Sequence, residues 1–257
     1  MRPVTIRPLY LMFAALCLAI SLSGCATTSA NLPPEVPAMH SLSEVTDDRV
    51  TMTPDPWYGF NRSMYKFNYN LDKYVLLPVV SGYEFITPTF VQTGVSNFFN
   101  NIGEIRNLTN NLFQLKGKDS LVTLGRFATN STIGIAGLFD PATSMGMERQ
   151  VEDFGQTLGY WGTGTGNYVV LPLFGPSNVR DTGGLVFDSA IHAGLKEAID
   201  PLENASNGDA ILLGVTLLNA IDKRHVEKFR YNGSDYPFEY DMVRWLAGEK
   251  RKLEVMK

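Results

Sequence analysis

The first residues to consider are those whose types and spacing could support acid–base catalysis. Glu152 and Asp153 form an adjacent carboxylate pair, but neighbouring residues on a helix do not face each other. We therefore interpret the pair as the capped start of a helix. His192 follows Asp188 by four residues, a spacing that more often gives a structural hydrogen bond than a catalytic dyad.

Three alternate glycines, Gly162, Gly164 and Gly166, show a superficial likeness to a dinucleotide-binding loop. Such a loop follows a strand and opens a helix, whereas this segment leads into an apolar run at 169–174. The sequence also contains no Gly-x-Ser-x-Gly elbow, no His-Glu-x-x-His pair and no EF-hand loop. Its three histidines are widely spaced. We therefore predict a protein that is not an enzyme and that needs neither a cofactor nor a metal.

One covalent modification is predicted near the start of the chain. Two arginines precede an apolar stretch at 9–20, which has the order and length of a secretory signal and is shorter than the roughly 20 apolar residues of a spanning helix. The stretch ends at 22–25 in Leu-Ser-Gly-Cys, which resembles the lipobox of bacterial lipoproteins. We therefore expect removal of residues 1–24 and acylation of Cys25. The alternative is an ordinary signal with an incidental cysteine.

The rest of the chain divides into a tether and one folded domain. Residues 25–54 contain several prolines among polar and acidic residues and lack a sustained apolar period, so we predict an acylated N-terminus and a flexible tether. Residues 55–257 form the predicted domain. Loss of the signal takes the formal charge from −4 to −6. Such a chain has no general basic surface for nucleic acid, and apolar surface and acyl chains would have to hold it at a membrane.

Apolar residues at spacings of three and four predict a mainly α-helical domain. Asp55 and Pro56 have the residue types of a helix N-cap and first position. The segment at 159–176 is rich in glycine and contains two prolines, which predicts an irregular hairpin or loop. The apolar run at 211–221 is too short to span a bilayer. The predicted first helix carries an apolar stripe of Trp57, Phe60, Met64, Phe67 and Leu71.

Six segments, taken in order, resemble one family. They include Asp-Pro-Trp-Tyr-Gly-Phe-Asn-Arg-Ser-Met-Tyr-Lys-Phe-Asn at 55–68, Asn-Phe-Phe-Asn-Asn at 97–101 and Glu-Asp-Phe-Gly-Gln-Thr-Leu-Gly-Tyr-Trp-Gly at 152–162. The others lie at 126–134, 137–142 and 168–181. Together they resemble the MlaA (VacJ) lipoproteins, and the lipobox agrees with that resemblance. Ala26, where an Asp would suggest retention in the inner membrane, favours the outer membrane.

The resemblance implies a ring-like assembly of amphipathic helices that is monotopic in the periplasmic leaflet of the outer membrane. It also implies an amphipathic channel that takes phospholipid misplaced in the outer leaflet and passes it to a soluble periplasmic carrier of the MlaC type. The expected neighbour is a porin trimer, and the expected result is lipid asymmetry. The alternative function is that of a structural envelope lipoprotein that docks partners without moving lipid.

Two sets of residues are candidates for channel function. We expect the glycine-rich segment to shape a gating loop, and two Phe-Asn pairs to set the position of the first helix at the pore. The full candidate set is Gly162, Gly164, Gly166, Phe60, Asn61, Phe67 and Asn68.

Overall fold

Helices make up most of the structure, which confirms the mainly α prediction. The computed structural model describes residues 53–199, 207–231 and 237–257; the predicted signal, Cys25 and nearly all of the predicted tether lie outside them. In chain order the elements are α1 (Tyr58–Leu71), a π-helical segment (Asp72–Leu76), α2 (Leu77–Ile86), α3 (Thr89–Phe113), α4 (Gly117–Thr132), α5 (Pro141–Ser144), α6 (Phe154–Tyr160), β1 (Tyr168–Leu171), β2 (Gly175–Asn178), α7 (Val179–Ile199), α8 (Gly208–Val226) and α9 (Glu239–Val255).

The ends of these helices follow from local chemistry in most places. Thr87 is extended because a proline follows it, and this ends α2. The side chain of Asp153 accepts a hydrogen bond from the backbone N–H of Gln156, which confirms the predicted helix start. The prediction for Asp55 was wrong. Trp57 holds the N-cap position of α1 without a side-chain cap, because the Asp55 carboxylate is occupied by tertiary hydrogen bonds.

The only non-helical layer of the described residues is an antiparallel hairpin. Its register pairs Tyr168 with Asn178 and Leu171 with Gly175. The turn between the strands needs left-handed backbone at Leu173 (φ 70°) and Gly175 (φ 78°). The segment predicted as one irregular glycine-rich hairpin therefore contains two separate features. A glycine-rich loop at 162–166 comes first, and a regular β-hairpin follows it.

Contacts between neighbouring elements close into a circuit. From α1 they pass to β1, β2, α7, α6, α3, α8 and α2, and the π-helical segment returns the path to α1. α4 packs against α3, and α9 packs against α6 and β2. A closed circuit of helices and one hairpin agrees with the predicted ring-like assembly.

The helices bury polar side chains and expose apolar ones. Among the described residues, 23 polar or charged residues are buried against seven hydrophobic ones, which reverses the usual distribution of a water-soluble protein. On α3 the buried positions recur at helical spacing, and all are polar. They are Gln92, Asn101, Glu104, Asn107, Asn110 and Asn111, with Gln114 directly after the helix.

The apolar stripes read from the sequence lie on the outer surface. Phe60 is 52 % exposed and Phe67 is 47 % exposed, while Asn61, Tyr65 and Asn68 form the buried face of the same helix. The helical period was therefore predicted correctly. The face of α1 that the structure buries is the one opposite the apolar stripe. Of the helices in the described part of the chain, none is both long and apolar enough to cross a membrane.

A small hydrophobic cluster joins α1, the hairpin and α9. It consists of Tyr65, Tyr168, Val170, Tyr240 and Val243. The three tyrosine rings meet edge to face, with centroids 5.6 Å apart for Tyr65 and Tyr240 and 6.1 Å apart for Tyr168 and Tyr240. Edge-to-face pairs of this kind add to the gain from burial. The cluster therefore packs α1 and α9 against the hairpin.

Candidate functional site

Two asparagines of α1 hold the free edge of β1. The side-chain amide of Asn61 donates to the carbonyl of Tyr168 (3.1 Å) and accepts from the N–H of Val170 (2.8 Å). The amide of Asn68 donates to the carbonyl of Leu171 (2.9 Å) and accepts from the N–H of Leu173 (2.8 Å). Asn61 thus satisfies the backbone groups that a further strand would otherwise pair, and Asn68 holds the end of β1 and the turn that follows it.

Asp55 connects this edge to the last helix. Its carboxylate accepts hydrogen bonds from Asn61 (2.7 Å) and from the hydroxyl of Tyr240 (2.5 Å), and Arg244 pairs with it at 3.3 Å. In parallel, the hydroxyl of Tyr65 donates to Glu239 at 2.5 Å. Burial, and then the hydrogen bond to the neighbouring carboxylate, raises the pKa of both Tyr65 and Tyr240 well above the ordinary value. Both tyrosines therefore stay neutral donors.

The interior between α3 and α4 contains a buried ion pair. Arg126 is 2 % exposed, and its guanidinium contacts Glu104 and Asp140, each at 2.9 Å. Burial alone would raise the pKa of Asp140, but hydrogen bonds from its polar neighbours, Thr143 first among them, outweigh burial and hold it at about 2. A buried charge needs partners of this quality to be tolerated.

Further polar groups link α3 to α6 and α7. Gln114 donates to Glu152 (3.0 Å) and to Thr157 (3.1 Å). Asn110 accepts from Thr157 (2.8 Å) and donates to Asp188 (3.2 Å). Asp188 also accepts from the backbone N–H of Phe154, so this carboxylate joins helices.

A second ionic cluster fastens α9 to α6 and α7. Arg251 contacts Asp153 (2.6 Å) and Asp181 (2.7 Å), and Arg180 pairs with Asp181 (2.8 Å). Burial would raise the pKa of Asp153, but the hydrogen bond and charge of Arg251 hold it below its usual range. In this cluster Arg180 and Arg251 are therefore matched by the carboxylates of Asp153 and Asp181.

The glycine-rich loop differs from this framework because little surrounds it. Gly162 has a left-handed backbone (φ 91°), and a Cβ there or at Gly164 would meet nothing within 4 Å. Gly166 is left-handed as well (φ 69°), and a Cβ would lie 3.1 Å from the Cβ of Val179. Trp161, just before the loop, donates from its indole N–H to the carbonyl of Phe113 (3.2 Å). The loop is thus anchored at both ends and open in its middle.

The structure brings some of the candidate residues together and separates others. Asn61 and Asn68 meet at the hairpin edge, whereas Phe60 and Phe67 face outward from the same helix. The polar face of α3 and Arg126 were not among the candidates, although the recurrence of Asn, Gln and Glu at spacings of three and four was a signal for them. In the described part of the chain, no group of three or more His, Cys, Asp or Glu side chains is placed to hold a metal ion.

A helical ring whose buried face is hydrogen-bonded and whose outer face is apolar defines a class of protein that works at a lipid surface. The chain belongs to the MlaA family: the family model described as MlaA lipoprotein matches residues 53–254.

Relatives and a solved structure agree with this assignment. The protein named intermembrane phospholipid transport system lipoprotein MlaA in Haemophilus influenzae is 32 % identical over 183 residues, 70 % of this chain and 66 % of that protein. The protein of the same name in Escherichia coli K12 is 38 % identical over 138 residues, which are 52 % of this chain and 55 % of that protein. An uncharacterized protein of Rickettsia typhi is 35 % identical over 172 residues, 67 % of this chain, which spans 65 % of that relative's length.

The fold is similar to a chain solved in work on the structural basis for maintenance of bacterial outer membrane lipid asymmetry. The TM-score is 0.61 at 31 % sequence identity, and the match covers 78 % of this chain and 98 % of the solved one. The similarity therefore extends over most of the chain and not over a single supersecondary unit.

Proposed function

We propose that this chain removes phospholipid misplaced in the outer leaflet of the outer membrane and passes it to a soluble periplasmic carrier of the MlaC type. In this proposal Cys25 carries the acyl anchor, the domain lies in the periplasmic leaflet, and a porin trimer is its neighbour. The observation that carries the proposal is the reversed polarity of the helices in an MlaA fold, with apolar side chains outside and a hydrogen-bonded polar framework inside.

The reversed polarity matches the physical problem of moving a phospholipid. Placing a charged headgroup in hydrocarbon costs roughly several kcal/mol. The headgroup therefore needs polar walls along its path. The tails need the opposite environment, and exposed residues such as Phe85 (91 %) and Phe90 (78 %) offer it. A protein that exposes such side chains and buries its hydrogen-bonded polar side chains is suited to lie in a bilayer leaflet.

The glycine-rich loop supports a gating role within this proposal. Gly162 and Gly164 have free space around them, and the loop is held by Trp161 before it and by packing against Val179 after it. Such a segment changes conformation at low steric cost. A valine or proline at Gly164 is expected to slow lipid transfer, and unchanged transfer would refute the gating role.

The experiment that tests the function is the phospholipid content of the outer leaflet in cells that lack this chain. Complementation with the wild type is expected to clear the outer leaflet, and Cys25→Ala is expected to fail because the acyl anchor is lost. Cys17→Ala is the matched control, since Cys17 lies in the signal that is predicted to be removed. An outer leaflet that stays unchanged on deletion would favour the structural-lipoprotein alternative.

A further inference from the structure

Helix α1 carries cations but no carboxylate. Arg62 and Lys66 lie on the helix, Lys73 lies in the π-helical segment that follows, and no Asp or Glu occurs at 56–71. Asp72, the next residue, is buried and already paired with an arginine of α8. In a chain whose formal charge is −4, α1 is therefore a local surface of positive charge, and such a surface attracts anions.

Tyrosine side chains hold two of these cations in place. Arg62 donates to the hydroxyl of Tyr58 (2.6 Å), and its guanidinium carbon lies 5.3 Å from the centre of that ring. Lys73 donates to the hydroxyl of Tyr69 (3.1 Å), and its ammonium nitrogen lies 5.4 Å from the centre of that ring. An aromatic ring attracts a cation without neutralising its charge. Lys66 and Lys73 are both exposed, and neither forms an ion pair with the described residues.

The cations share one side of the helix. We define the cationic flank of α1 as Tyr58, Arg62, Lys66 and Tyr69, with Lys73 directly after them. At about 100° per residue, the four members on α1 fall within roughly 80° of one another.

The exposed phenylalanines lie on the other side of the same helix. Phe60 and Phe67 are about 140–160° from Arg62 at the same angle per residue, and the buried Asn61 and Asn68 lie between the two sides. The face that packs on the protein therefore separates an apolar flank from a cationic one. A helix that lies along a bilayer surface needs this distribution, with apolar residues towards the acyl chains and cations towards the headgroups.

The last helix offers a contrast because its exposed lysines have carboxylates beside them. Lys250 lies 3.7 Å from Glu254, and Lys252 lies 2.6 Å from Glu249, all on α9. The lysines of the cationic flank have no carboxylate on their own helix. The two pairs of lysines therefore carry the same charge in opposite surroundings, and the pair on α9 is a matched control.

We propose that the cationic flank of α1 binds the anionic headgroups of phospholipids at the bilayer surface, while the apolar flank meets their acyl chains. The proposal rests on the proposed function, because it assumes a position in a leaflet, and it adds which surface meets the headgroups. A helix with its side chains is about 10–12 Å across, and an interfacial helix buries its apolar side by about 5–10 Å. Cations on the opposite side then lie at the level of the phosphates, which Lys and Arg reach with their long side chains.

The first experiment compares two double variants of the full chain in detergent. Lys66→Gln with Lys73→Gln removes two charges from the cationic flank, and Lys250→Gln with Lys252→Gln removes two exposed charges from α9. Native mass spectrometry measures the binding of phosphatidylglycerol and of phosphatidylcholine with the same tails. The ratio of the two affinities reports the headgroup, because the tails do not differ.

The wild type is expected to prefer phosphatidylglycerol. In the α1 variant this preference should fall about fivefold for each lysine that the bound lipid contacts, because a cation near an anionic lipid surface contributes about that factor. The α9 variant should keep the preference of the wild type. Lys66→Arg with Lys73→Arg retains both charges and should keep the preference as well. All the substituted lysines are exposed, so the variants are expected to fold.

The second experiment measures the depth of α1 in vesicles that contain phosphatidylglycerol. Nitroxide labels on Phe60→Cys and Arg62→Cys lie two residues apart along the helix and on opposite flanks. Cys25 is proposed to be acylated and would not take a label. The label at position 60 is expected in the hydrocarbon, about 10 Å deeper than the label at position 62.

The outcomes distinguish the headgroup surface from the proposed function. Loss of the phosphatidylglycerol preference in the α1 variant alone supports the surface. A wild type without this preference, or an equal loss in both double variants, would overturn it, and so would two labels at equal depth in the hydrocarbon. If the preference depends on the α1 lysines but water reaches both labels, the position in the leaflet fails and the headgroup surface stands.

Discussion

Replacing Asn61 by alanine tests whether polar contacts, rather than apolar burial, hold the first helix in place. Asn61 is fully buried and makes three hydrogen bonds, to Asp55, Tyr168 and Val170. Alanine leaves the N–H of Val170 without this partner and removes one donor each from the other two. An unsatisfied buried group costs about 1–3 kcal/mol. Counting the N–H fully and the others in part, we expect a loss of about 3 kcal/mol in the free energy of unfolding.

The matched control is Phe60→Ala, one residue away. In a water-soluble core, truncating a phenylalanine costs about 3–5 kcal/mol, but Phe60 is 52 % exposed. Only part of its area is buried against protein, so we expect a loss of about 1 kcal/mol.

The assay is thermal unfolding of both variants in the same detergent, followed by circular dichroism. For a domain of this size 1 kcal/mol corresponds to about 2–4 °C, so the midpoint should fall by roughly 6–12 °C for Asn61→Ala and by about 4 °C or less for Phe60→Ala. The reverse order would refute the reasoning, because it would show that α1 is held by its apolar stripe.

Three further predictions concern the polar framework and the loop. Because the pKa of Asp140 is lowered from 3.8 to about 2, its contribution to the free energy of unfolding is complete above about pH 4 and is lost as the pH falls towards 2. Asp140→Asn should flatten this part of a curve of stability against pH. An unchanged acid limb of that curve would contradict the prediction. Gly166→Ala should cost about 1–3 kcal/mol because its φ is positive, whereas Gly164→Ala should stay within about 0.5 kcal/mol; equal thermal midpoints would argue against this view of the loop. Tyr65→Phe removes the hydroxyl that Glu239 accepts from, so it should cost about 1–3 kcal/mol and expose α9 to limited proteolysis; a proteolysis rate equal to that of the wild type would count against that role.

The sequence predicts the helices well because their period is a local property. The apolar stripe of α1 recurs at the spacing of a helix, and the structure has that helix from Tyr58 to Leu71. A period shows that a helix has two different faces, but not which solvent the apolar face meets. In water the stripe would be buried; here Phe60 and Phe67 are exposed, and Asn61 and Asn68 are inside.

The parts that sequence reasoning missed depend on distant residues. Asp55 has the residue type of an N-cap, but its partner Tyr240 lies 185 residues away, and tertiary hydrogen bonds outweigh a local cap of about 1 kcal/mol. Arg126 likewise needs Glu104 and Asp140 from two other segments. Family motifs indicated where these residues are, whereas only the fold shows what they contact.

The two Phe-Asn pairs join these observations in one geometry. Asn61 and Asn68 are seven residues apart, which is about 10.5 Å along a helix. Their hairpin partners, Tyr168 and Leu171, are three residues apart, which is about 10 Å along a strand. The two lengths match, so Asn61 reaches the start of β1 while Asn68 reaches its end and the turn that follows, and Phe60 and the phenylalanine seven residues later point outward. The pairs therefore position α1 through their asparagines, and their aromatic rings stay on the exposed surface of the helix.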